Sequence, residues 1–451
     1  MSILIKNGTI INEGLSFIGS LILDGERITK IINHEHGDKL PLLSSFKKVI
    51  DAEGLIIVPG IIDDQVHFRE PGNTHKGNIE SESAAAVLGG VTSYMDMPNN
   101  NPPTVTIDLL EQKNSIAAQT SYANWSFYLG ATNNNIEELK KIDPSKTCGI
   151  KAFMGSSTGN LLIDDPEALE KLFRESKVLI ATHCEEESII KANLKLAKEH
   201  YGDNITVEEH PAIRSREACI TSTAKAIDLA IRNMSRLHIL HVSTAEEITM
   251  IEKAARINPG ITGEVCVHYM IFDRSDYKKF GNLIKCNPAI KNKEDREAII
   301  MAVKNGIIKV VATDHAPHTL EEKNLRYIDS PSGLPLIQHS FQIMWDLHKN
   351  GHFSKFDVID RLSHSPANNF NIVKRGFLRE GYYADILIFN PNLEDSVTSV
   401  NPAYKCGWSP FKNHTFSSSI IHTFVNGIQV VKNGKLTGDK GGKRLEFSYE
   451  K

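Results

Sequence analysis

Residues 166–183 read PEALEKLFRESKVLIATH. A helix-like stretch over 166–176 leads into the apolar run Val178-Leu179-Ile180-Ala181, which stops at Thr182-His183. An apolar run without alternation is the pattern of a strand covered on both faces, as in a parallel sheet. The same unit recurs along the chain. Apolar, β-rich runs occupy 56–67, 91–98, 125–131, 149–154, 178–183, 237–242, 264–271 and 308–315, each ending in polar residues. Helical patterns lie between them at 82–88, 107–118, 166–176 and 220–233. Strands alternating with helices in this way predict an α/β fold, a parallel (β/α)8 barrel of the TIM type over 56–376.

Outward from this centre the texture changes. Leu4-Ile5-Lys6-Asn7-Gly8 is a strand running into a turn, and 20–23 and 28–32 follow in the same style. At the other end 384–389 and 420–431 are short strands, with Asn426-Gly427 as a hairpin signal. Residues 1–55 and 377–451 are therefore expected to build one small β-sandwich beside the barrel.

The bulk numbers agree with a barrel plus a smaller unit. The chain has 451 residues, 41% hydrophobic and 24% charged, and a domain of ~250 residues with a lesser companion is the natural division. A formal net charge of −4 offers no basic field for nucleic acid or an anionic membrane. No apolar run approaches the ~18 residues of a membrane span, and the opening MSILIKNGTI lacks the features of a signal peptide. The expected partner is a small-molecule substrate, with no nucleic acid and no membrane, and the expected location is the cytoplasm. Six scattered cysteines without a C-x-x-C pair read as buried thiols in a reducing compartment.

Active sites of such barrels sit at the C-terminal ends of the strands. There the chain carries His67, Lys151, His183, His241 and Asp314, from strands one, four, five, six and eight. Any one of them has a structural reading: a lone histidine is usually not a ligand, a buried lysine pairs with a carboxylate, and an aspartate caps a helix. Five strands offering ligand chemistry at one end point together to a metal site. Lysine enters such a set only if carbon dioxide carbamylates it.

Residues 63–72, Asp63-Asp64-Gln65-Val66-His67-Phe68-Arg69-Glu70-Pro71-Gly72, resemble the amidohydrolase signature D-x-H-x-H-x-R-x-P-G. Thr313-Asp314-His315-Ala316-Pro317-His318 resembles the T-D-H-A-P-H run of dihydroorotases and close cyclic amidases. Met97-Pro98-Asn99, Lys151-Ala152-Phe153-Met154, Thr182-His183-Cys184-Glu185 and His241-Val242-Ser243 match further blocks in order, so the resemblance covers essentially the whole chain. It implies zinc, one or two ions per chain. His67 and Asp314 would hold the first and His183 and His241 the second, with N-carboxylated Lys151 bridging both. It also implies attack by a metal-activated hydroxide, with Asp314 as acid and base.

Within that superfamily, dihydroorotase acts on a ring that carries a carboxylate. The resemblance assigns Arg69, Asn99 and His318 to that charge, and Arg69 has the planar fork such a group needs. Lys285-Cys286-Asn287-Pro288 resembles the block whose Asn contacts the ring, here Asn287, and Ser332 and Gly333 lie in the segment whose backbone touches it. The reading is reversible closure of N-carbamoyl-L-aspartate to dihydroorotate in pyrimidine synthesis, with a homodimer as the expected assembly and a transcarbamoylase as a candidate partner. The alternatives are allantoinase or another cyclic amidase, or a catalytically silent scaffold subunit.

One position departs from the family: Gln65 stands where the first histidine of H-x-H belongs. In an extended strand, positions 63, 65, 67 and 69 share a face. Gln65 is thus expected to point at the site and Asp64 away from it, leaving two metal positions of unequal strength.

Overall fold

The structure, a computed structural model, describes residues 2–38, 40–155, 161–398 and 402–448. Its first strands are β1 (Ser2–Asn12), β2 (Leu15–Asp24), β3 (Arg27–Asn33), β4 (Lys48–Asp51) and β5 (Ile56–Pro59). The barrel staves are β6 (Ile61–Val66), β7 (Val91–Asp96), β8 (Asn124–Phe127) continued by β9 (Leu129–Gly130), β10 (Ile150–Phe153), β11 (Ile180–His183), β12 (Leu237–Ile239), β13 (Ile261–Cys266) and β14 (Val310–Ala312). Then come β15 (Ile386–Asn390), the short pair β16 (Asp395–Ser396) and β17 (Thr415–Phe416), β18 (Ser419–Val425), β19 (Ile428–Lys432) and β20 (Lys435–Leu436).

Staves β6 to β8 and β9 to β14 run parallel in sequence order. The ring closes where Val66 bridges His315, joining the first stave to the last. This is the expected barrel. Helices on the outside, such as Ile107–Thr120, Pro166–Glu175 and Arg216–Asn233, cover it. With the interior filled as well, every residue of β10, β11 and β14 is buried, which is why those runs read as unbroken apolar stretches.

The run 56–67 is not one stave. It divides at Gly60, and Ile56–Pro59 pairs with β1 and β15 instead. A Cβ at Gly60 would lie 2.1 Å from the Thr92 hydroxyl, so only glycine lets the chain pass so close to β7. The seventh run, read as 264–271, is a strand over Ile261–Cys266 followed by a short helix, His268–Ile271; Gly263 interrupts the apolar pattern and hides the true start.

Both chain ends enter one nine-stranded sheet. β15 lies antiparallel to β5, with Leu387 opposite Val58. Asn426 and Gly427, at φ 51° and 76°, make the β18–β19 hairpin turn. Ile5, Leu21, Ile28, Ile57, Ile386 and Phe424 belong to a core separate from the main one. The expected sandwich is thus, in hydrogen-bonding terms, a single continuous sheet. Its last residues do not stay in it. The Leu445 N–H donates to the Trp125 carbonyl at 2.8 Å and the Phe447 N–H to that of Ser145 at 3.0 Å. Leu445 and Phe447 pack with Ile62, Met95, Tyr128 and Phe370, and so help fill the barrel.

Candidate active site

One cleft gathers His67, Lys151, His183, His241 and Asp314 with Arg69, Asn99, Asn287, His318, Ser332 and Gly333. It measures about 190 Å³, room for one small ring rather than a polymer segment. Gln65 also lines it. The segment 155–160, a candidate closing loop by composition, falls at 156–160 outside the described residues.

Nδ1 of His183 faces Nε2 of His241 at 2.9 Å. The other nitrogen of His183 meets Glu185 at 2.9 Å, and Arg214 grips that carboxylate at 2.5 Å. Burial opposes ionisation of Glu185, but the Arg214 guanidinium outweighs it and keeps the carboxyl well below its usual range. A charged carboxylate on the outer nitrogen fixes the tautomer and leaves Nδ1 a lone pair toward the cleft. Burial also lowers the pKa of His183 and takes His241 well below its ordinary range. Both are thus neutral and able to bind a metal. Sequence reasoning missed Arg214; nothing at that position marks it.

His67 is oriented in the same manner. Its Nδ1 meets Asn99 Oδ1 at 2.7 Å, so Nε2 looks toward Asp314 Oδ1, 3.0 Å away. The Gln65 amide donates to the same Oδ1 at 3.2 Å, while its oxygen faces the Cys266 thiol at 3.8 Å. Gln65 therefore turns its nitrogen, not its ligand-type oxygen, toward Asp314. Lys151 is buried among these groups, and burial lowers its amine to about 8, against the pull of Asp314 and Glu264. Neutral imidazoles, a carboxylate and a lysine that can lose its proton form a donor set that fits a transition metal.

Arg69 does not sit on an extended strand, as expected. β6 ends at Val66, and Arg69 lies at φ 69°. Its Nε donates to the Pro317 carbonyl at 3.0 Å and its Nη2 approaches His318 at 3.0 Å. Lys76 Nζ reaches the other His318 nitrogen at 3.1 Å; it too was missed. Burial, with Arg69 and Lys76 adding to it, takes His318 well below its ordinary range. Among the described residues, Lys76 pairs with Glu322 but no carboxylate pairs with Arg69. The result is a corner in which, among the described residues, Arg69 and Lys76 outnumber the one carboxylate, Glu322, which lies 3.0 Å from Lys76 and 3.5 Å from His318.

Alternation fails at Asp64 as well. The register of β6 against β7 slips between Asp63 and Val66. Such a bulge resets which side chains face inward. Asp64, expected to point away, lies inside the barrel, 3.2 Å from His238.

The profile of the amidohydrolase family matches residues 56–430. The chain belongs to the amidohydrolase family. Among its curated relatives, a dihydroorotase of Staphylococcus epidermidis is 30% identical over 96% of this chain and 100% of that protein. A dihydroorotase of Methanosarcina acetivorans is 32% identical over 90% of this chain and 87% of its own length. Among solved structures, an L-hydantoinase (dihydropyrimidinase) from Arthrobacter aurescens superposes with a TM-score of 0.91 at 23% identity, over 98% of this chain and 99% of that one. A dihydropyrimidinase from Brevibacillus agri gives 0.90 at 25%, with both chains fully covered. These likenesses fix the fold of this amidohydrolase. Among its described residues, no helix is long and apolar enough to cross a membrane.

Proposed function

We propose that this amidohydrolase is a dihydroorotase, interconverting N-carbamoyl-L-aspartate and dihydroorotate. The observation that carries the reading is Arg69: a guanidinium in the cleft beside His318, with no protein carboxylate. A ring bearing a carboxylate completes that corner; allantoin and dihydrouracil, which have none, leave it unsatisfied. The dihydroorotase relatives support it.

His183 and His241 would hold one zinc ion and His67 and Asp314 a second, with Lys151 carboxylated between them. An amine lowered to about 8 keeps enough neutral form to take up carbon dioxide. A zinc ion held there would supply Lewis acidity for the ring carbonyl and for a water. The rest falls to the chain. Arg69 and His318 orient the substrate carboxylate, Asn99 holds the His67 ring, and Gln65 steadies Asp314. Asn287 Oδ1 is buried without a protein partner and would accept from a ring N–H of the substrate. In ring opening the oxygen of water bonds to the carbonyl carbon, and Asp314 takes up its proton. The ring C–N bond breaks, and Asp314 returns the proton to the nitrogen. A homodimer, a transcarbamoylase partner and a cytoplasmic location complete the proposal.

The test is turnover of dihydroorotate, allantoin and dihydrouracil in parallel by the zinc-loaded enzyme, with Asp314→Asn as control. Dihydroorotate alone should be opened, and the Asn variant should be inert but folded. Faster opening of allantoin, or no turnover of any ring, would overturn the reading.

A further inference from the structure

Beneath the cleft lies a second cluster that the catalytic reading does not use. Asp64, His238 and Glu264 are fully buried and place one ligand atom each within 4.8 Å of the others. Asp64 Oδ2 is 3.2 Å from His238 Nε2, which is 3.4 Å from Glu264 Oε2. Cys266 lies between this cluster and Gln65, with its sulfur 4.0 Å from Glu264 Oε1. On the other side are the Tyr128 hydroxyl, donating to the Asp64 carbonyl at 3.0 Å, and the Phe370 ring.

The charge count does not close. Neither Oδ atom of Asp64 accepts a hydrogen bond. Among the described residues, neither Asp64 nor Glu264 pairs with a lysine or arginine. Glu264 Oε1 accepts from the His241 N–H at 3.2 Å and Oε2 faces His238; burial and the adjacent Asp64 carboxylate raise the Glu264 carboxyl well above its usual range. At most one imidazole proton, at Nε2, can serve three carboxylate oxygens. Nearby Asp63 has its own donors, the Thr313 hydroxyl at 2.6 Å and the Gln65 N–H at 3.2 Å, and burial, with the Asp64 charge adding to it, raises its carboxyl to about 8. Carboxylates so deep in a protein need a cation or protons.

The spacing suits a cation. Ligands about 2.0–2.2 Å from a tetrahedral zinc lie about 3.3–3.6 Å from one another, close to the two separations seen here. The outer nitrogen of His238 meets the Thr262 hydroxyl at 2.7 Å and the Asn369 amide nitrogen at 3.3 Å, which fix the ring with Nε2 toward the two carboxylates.

We propose that Asp64, His238 and Glu264 hold a structural divalent transition-metal ion, zinc by preference, inside the barrel. The bulge in β6 is what delivers Asp64 to it. The proposal does not depend on the assignment of the cleft above, and its test reads metal rather than turnover. Full-length protein purified from zinc-supplemented cells is dialysed against a chelator until its zinc content is constant, then crystallised and recorded on both sides of the zinc edge. One equivalent of zinc should remain per chain, with an anomalous peak between the three side chains and none in the cleft. Asp64→Asn should lose that equivalent while the cleft still loads. Absence of the peak in zinc-loaded crystals overturns the proposal in favour of shared protons. So does a peak seen only on soaking, an adventitious ion only. If the Asn variant does not fold, the wild-type peak still decides.

Discussion

Arg69 concentrates the substrate choice in one side chain. Its guanidinium is held toward the cleft by the Pro317 carbonyl, so it is pre-positioned for a carboxylate. Replacing it with Met removes a charge-assisted contact of roughly 2–4 kcal/mol, which corresponds to a roughly 30- to 700-fold rise in KM for dihydroorotate. Metal content should not change. Steady-state kinetics with metal analysis checks this, and an unaltered KM would move the carboxylate elsewhere. Gln65 is the second residue-scale feature. Its nitrogen faces Asp314, so the His67–Asp314 position has no third protein ligand from residue 65. During stepwise chelation of the cleft, zinc there should leave before zinc at His183 and His241. Simultaneous loss would show that the missing histidine costs nothing. Both residues were legible in sequence as departures from or matches to a motif; their hydrogen-bond partners were not.

Elements position the site by leaving regular geometry at the stave ends. Arg69, His241 and Asp314 all adopt left-handed backbone, at φ 69°, 39° and 50°. Side chains rarely accept that region except where surrounding structure enforces it. Alternation therefore could not tell which way residues 64 and 69 point, although it placed the residue types at the correct end of the barrel. The loop over 331–333 shows the same dependence on packing. Lys323 Nζ, buried, donates to the Pro331 and Gly333 carbonyls at 2.9 and 3.0 Å. Gly333 sits at φ 143°, where a Cβ would lie 2.5 Å from the Ala316 carbonyl oxygen. Gly333→Ala should push this loop off the ring position, at a strain of about 1–3 kcal/mol. The expected result is a KM raised about tenfold or more with a small change in Tm. An Ala variant with native KM would separate the loop from substrate binding.

At the scale of the molecule, barrel and terminal sheet are interlocked rather than adjacent. Ile56–Pro59 ties the two ends into one sheet, and the tail returns to the barrel through Trp125 and Ser145. Leu445 and Phe447 are almost wholly buried there. Truncation after residue 440 removes both, and losing one such side chain costs about 2–5 kcal/mol. The shortened protein should melt several degrees lower in a thermal scan and expose the barrel interior to a hydrophobic dye. An unchanged Tm would mean that the tail only rests on the barrel.

Periodicity and composition alone determined the barrel, because parallel staves buried on both faces must be apolar throughout and must alternate with covering helices. They also placed His67, Lys151, His183, His241 and Asp314 at the stave ends where the cleft lies, whereas the other lining residues were legible only through the family resemblance. Tertiary structure decided what local pattern cannot encode. A one-residue bulge turned Asp64 inward to His238 and Glu264, distant in sequence. The partners of His183 and Arg69 were likewise set by which staves the closing ring brought together. A sequence repeats locally, whereas a buried charge is satisfied only by what the whole fold places beside it.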